Sequence, residues 1–209
     1  SKQGQLGVIS GTGVGIVLIA RLMDGDEDGH IRRALAHFPQ QDVAERILDK
    51  YYIEGGKEAG KGYKRPTMWT INPPPALEEL TVVANFVEVW LAKEGHDNPV
   101  GINLLEKVQM PTMASLYGAM LADVDIVIMG AGIPTQVPGI LDDLAYHKAV
   151  KYRLDVVGEG TDDETLIQKL SFAQRRMNEP LELSLKLFYL FFPFVIAPIT
   201  ACYHMWAMV

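Results

Sequence analysis

Short apolar runs alternate with amphipathic stretches along most of the chain. Residues 6–10 (LGVIS) form an apolar run ending on Gly11-Thr12-Gly13, which predicts a buried strand and a glycine turn. Residues 14–23 are apolar almost all round and predict a buried helix. A second helix is expected over 28–38, with Ile31, Leu35 and Phe38 on one face and Pro39 as its stop. A third is expected over 42–52, capped by Asp42, with Val43, Ile47, Leu48 and Tyr51 on one stripe. The glycine- and lysine-rich segment 55–64 reads as a mobile surface loop. Residues 67–71 (TMWTI) read as a strand, and three prolines then lead into a long helix over 76–94. Strands at 100–104, 126–129 and 151–157 alternate with helices at 115–122 and 137–146. Strand followed by helix, repeated, is the pattern of βαβ units around a parallel sheet. The polar segment 158–164 breaks the rhythm.

Composition narrows the picture. The chain has 209 residues, 48% of them hydrophobic, enough for a sizeable core. A formal charge of -7 argues against nucleic acid as partner, since phosphate neutralisation needs clustered Lys and Arg. The lone Cys202 makes no internal disulfide and fits a reducing compartment, so a cytoplasmic location is expected. From Leu187 to Val209 no Asp, Glu, Lys or Arg occurs. That run is long enough for a membrane span, yet Pro193, Pro198, Tyr203 and His204 suit one badly.

Three local patterns invite chemistry. Glycine turns begin at Gly11 and at Gly130, each after a strand and before a helix. A dinucleotide fingerprint needs a third glycine at the sixth place, where Ile16 and Thr135 stand, so both read as tight turns open to a ligand. The acidic run Asp24-Gly25-Asp26-Glu27-Asp28-Gly29 matches the start of a calcium loop, but Leu35 occupies the place of the bidentate Glu. It reads instead as an acidic turn capping the next helix. The five histidines show no ligand spacing, so no metal site is expected. Asn103 ends an apolar strand, where it either faces a ligand or caps the following turn.

The segment GINLLEKVQMPTMASLYGAMLADVDIVIMGAGIPTQVPGIL, preceded by LTVVANFVEVWLAKEGHDNPV and by GQLGVISGT at the start, resembles the nitronate monooxygenase family, formerly 2-nitropropane dioxygenase. The likeness is to a long-insert branch that includes enoyl reductases of polyunsaturated-fatty-acid and polyketide synthases. The resemblance implies an FMN-dependent TIM barrel, of which residues 1–163 are the first part, with a helical insert near 24–64. It implies flavin contacts at Asn103, at the Gly130 to Gly132 turn before Ile133-Pro134, and at Ser10, Gly11 and Thr12. Family members oxidise alkyl nitronates with O2, or reduce enoyl thioesters with NAD(P)H.

The family's first strand would precede Ser1. Its Gly-Gly-His strand and its two phosphate-holding glycine turns have no counterpart here, so the catalytic base has no candidate. The chain is therefore expected to be a fragment. Residues 164–209 are then an unrecognised apolar tail: a membrane segment, a core segment, or foreign sequence from a truncation or reading-frame change. The last is favoured, because an anchor in mid-barrel leaves strand edges open. A non-catalytic, membrane-tethered α/β module is the remaining alternative.

Overall fold

Three strands carry the architecture of the computed structural model, which describes residues 3–154 and the strands 166–170 and 190–191. These are β1 (Gly7–Ser10), β2 (Val100–Leu105) and β3 (Ile126–Gly130), parallel and in that spatial order. Ser10 lies opposite Asn103, Asn103 opposite Ile128, and Leu105 opposite Gly130. Side chains alternate across the sheet. Ile102, Leu104, Val127 and Met129 enter the core, while Val8, Ser10, Asn103 and Leu105 are exposed on the other face.

Helices cover the core face. In chain order they are α1 (Val14–Met23), α2 (His30–Leu35), α3 (Gln41–Tyr51), α4 (Pro75–Lys93), α5 (Thr112–Leu121) and α6 (Val137–Ala145). The centre is α4, which packs against β1, β2, α1, α2, α3 and α5. That position explains why its apolar residues run beyond a single stripe: Val82, Val83, Phe86, Val87 and Val89 are all buried. Arginines of the first three helices reach acids along it: Arg21 to Glu88 at 2.9 Å, Arg46 to Glu79 at 2.8 Å and Arg33 to Glu94 at 2.6 Å. The Arg33 pair is two-pronged, since a second nitrogen donates to Glu94 at 2.8 Å.

The second expected helix is shortened to α2 because Gly29, at φ 66°, stands at its start. The acidic turn caps it, as its composition suggested. The two oxygens of the Asp26 carboxylate accept from the backbone N–H groups of Ile31 at 3.0 Å and Arg32 at 2.9 Å. Asp42 does not cap α3. Gln40 stands at that cap without a side-chain bond, and Asp42 pairs with Arg46 instead. Asp26→Ala should therefore cost about 1–2 kcal/mol, and Asp42→Ala less. Thermal melts of the two variants check the order.

The segment 67–71 is not a strand. Trp69 and Ile71 are partly buried against the core, but no strand edge among the described residues pairs with this backbone. The loop 55–64 lies at the surface, yet several hydrogen bonds tie it down. Lys57 N–H donates to Met23 O at 2.7 Å, and Tyr63 Oη donates to the Asp24 carboxylate at 3.0 Å. That bond raises the Tyr63 phenol above its ordinary pKa. Gly25 and Gly56, both at left-handed φ, cross so closely that a Cβ on Gly25 would stand 2.8 Å from Gly56 N.

After α6 the chain forms β4 (Val150–Leu154), which pairs antiparallel with β5 (Leu166–Leu170). It does not join the parallel sheet, whose β3 edge instead carries β6 (Leu190–Phe191). The fold is thus α/β with a parallel sheet. The rest of the expected strand at 155–157, the whole polar break 158–164, and most of the apolar run 187–209 lie outside the described residues. No described helix is long and apolar enough to cross a membrane.

Candidate strand-end site

The carboxyl ends of β1, β2 and β3 meet at one edge of the sheet, where open α/β sheets and barrels take ligands. Register places Ser10 beside Asn103, and both are exposed. Gly11 N–H donates to Asn103 O at 2.9 Å, so the first glycine turn is tied to the second strand. A Cβ on Gly11 would stand 2.6 Å from both Ile102 Cδ1 and Leu104 Cδ2. Glycine lets this turn lie directly on the core. Thr12 is half-buried in the turn, and Gly13, at φ 75°, leads into α1 without a side-chain cap.

On the other side of Asn103, a Cβ on Gly130 would be 4.0 Å from Asn103 Oδ1. The amide therefore borders Gly130 together with Leu105, whose Cδ2 would be 3.7 Å from the same Cβ. The turn that follows has an unexpected distribution of strain. Its left-handed residue is Ala131, at φ 65°, while neither Gly130 nor Gly132 has a positive φ. The two glycines are not required by backbone conformation, so the space they leave is what matters. At Gly132 that space holds Glu106: a Cβ there would stand 2.1 Å from Oε2 and 2.6 Å from Cδ. Glu106 N–H donates to Gly130 O at 2.8 Å, pinning its backbone between the two strand ends.

The structure thus brings together Ser10, Gly11, Asn103 and Gly130, and sets Gly132 against Glu106. Sequence reasoning missed Glu106. Its signal was its place directly after the VGINLL strand, one turn of chain beyond Asn103.

These residues suit one part of a flavin site. Gly130 leaves backbone bare for a flat ring, and Asn103 can both donate and accept at the ring's polar edge. A phosphate needs a cradle of N–H groups as well. The resemblance puts that cradle on turns it does not locate in this chain.

Two other clusters are accounted for locally. A hollow of about 590 Å³ away from the strand ends is lined by Arg21, Asp24, Asp26, Asp28, His30 and Glu94, among others. Asp26 is committed to its cap and Glu94 to Arg33. Among the described residues no three His, Cys, Asp or Glu side chains are grouped to hold a metal. Tyr117 and His147 form a buried pair, Oη to Nδ1 at 2.8 Å, and burial pushes the Tyr117 phenol well up. It joins α5 to the turn after α6, away from the strand ends.

Comparison with protein-family models, with curated proteins and with solved structures gives no match.

Proposed function

We propose that the strand-end cluster binds FMN, and that the chain belongs to a flavin-dependent oxidoreductase of the nitronate monooxygenase type, built as part of a TIM barrel. The observation that carries this reading is the convergence of Ser10, Asn103 and Gly130 at one edge of three parallel strands. These are positions at which the sequence resemblance implies flavin contacts. When bound, FMN supplies the redox chemistry for oxidising an alkyl nitronate with O2. The chain's own part is to orient the ring: Asn103 offers an amide, and Gly130 adds no side chain of its own beside it.

An enoyl reductase acting on enoyl thioesters with NAD(P)H is the second reading. The long insert that the resemblance places near 24–64 favours it; this stretch folds here as α2 and α3, held to α4 by Arg33 and Arg46.

Purified protein titrated with FMN should quench flavin fluorescence and acquire flavin absorbance. Asn103→Ala should weaken that binding about fivefold to tenfold, the loss expected for one hydrogen-bonding side chain. O2 uptake with a nitronate separates the first reading from NAD(P)H-driven reduction of an enoyl thioester. A folded chain that stays colourless and leaves flavin fluorescence unchanged rules out both, and supports a non-catalytic α/β module.

A further inference from the structure

Among the described residues the Glu106 carboxylate has no hydrogen-bond or ion-pair partner, although it is half-buried and lies against Gly132. Other half-buried acids with equally fixed positions are engaged: Glu79 and Glu88 with arginines, Asp125 with Lys93 and with Val100 N–H. Glu106 lies against Gly132, at a glycine whose φ does not demand glycine, and its own N–H is bonded to the neighbouring strand end. Its neighbour Lys107 is exposed and does not pair with it. A carboxylate held this way, with its oxygens still open to solvent, has acceptor positions available to a donor of a bound molecule.

We propose that Glu106 is a ligand-binding residue: its carboxylate accepts from an N–H- or O–H-bearing edge of the molecule bound at the strand ends, alongside Asn103. This rests on the flavin reading, in which the donors are the imide N–H of the ring or the hydroxyls of the ribityl chain. The same negative charge repels a phosphate, so the phosphate end of the ligand points away from Glu106. Gly132 is a positioning residue, because any side chain there displaces the carboxylate.

The test uses fluorescence titration of the full chain with FMN and with riboflavin, for wild type and for Glu106→Ala, Glu106→Gln and Gly132→Ala. Glu106→Ala should weaken both flavins about tenfold or more, since a charged acceptor is lost. Glu106→Gln keeps a neutral acceptor and should recover part of that loss. Gly132→Ala should weaken binding like Glu106→Ala. Its melting temperature should move little, because the clashing atoms are the end of a flexible side chain. If the phosphate points away, both flavins lose affinity by the same factor in every variant. Wild-type binding with unchanged affinity in Glu106→Ala and Gly132→Ala overturns the role of Glu106 and leaves the flavin reading standing. A wild type that binds neither flavin overturns both.

Discussion

Gly118→Ala is expected to destabilise the protein by about 3 kcal/mol, against what helix propensity alone would give. Gly118 lies inside α5, where alanine is ordinarily favoured by about 1 kcal/mol. Here a Cβ would stand 2.1 Å from Val82 O and 2.8 Å from Val82 C. Those are backbone atoms of α4, not the end of a side chain that can swing away. α4 cannot readily recede either, because it also packs against β1, β2, α1, α2 and α3. Sterics therefore outweigh propensity, and the two helices must separate along their contact. Urea unfolding is the measurement: the midpoint should fall with little change in slope. An unchanged or higher midpoint would mean that α4 and α5 do not approach this closely.

Phe86→Ala should be the most damaging simple truncation, at about 3–5 kcal/mol. Phe86 is 2% exposed and meets Phe38, 1% exposed, edge to face with ring centroids 5.1 Å apart. Phe38 follows α2, so this ring pair joins the α2–α3 region to α4, the helix that covers the sheet. A double-mutant cycle with Phe38→Ala should show a coupling of about 0.5–1.5 kcal/mol. The α2–α3 region should also melt with the rest in a single transition, followed by far- and near-ultraviolet circular dichroism. Two separate transitions, or strictly additive single losses, would show that α2 and α3 are not coupled to α4 through these rings.

Both expectations depend on neighbours distant in sequence, and this is the line along which the sequence was legible. The helix at 14–23 and the strand starts at 100 and 126 coincide with the observed α1, β2 and β3. Each is a mainly apolar run, and glycine punctuates α1 at Gly13 and Gly25 and β3 at Gly130. The capping role of the acidic turn was likewise readable, because a carboxylate needs only the next few N–H groups to act. Capping of α3 by Asp42 was misread, because Arg46 one turn away competes for the same carboxylate.

The segment 67–71 shows a different limit. Its alternation is real and Trp69 and Ile71 do turn inward, but a strand needs a free edge and none among the described residues meets it. At the strand ends, Asn103 stood out because a polar residue closing an apolar run is visible locally. Glu106 did not, because what distinguishes it is the backbone of Gly132, which lies in another strand's turn.

The sequence by itself determined the order and type of most elements, the parallel βαβ pattern and the glycine-terminated strand ends, since these follow from residue periodicity and local backbone freedom. Tertiary structure alone decided that Gly118 serves helix contact, that Gly132 makes room for a carboxylate, and that β4 turns to an antiparallel partner. Each of those outcomes depends on which atoms occupy the neighbouring space, and that space is filled by chain far away in sequence.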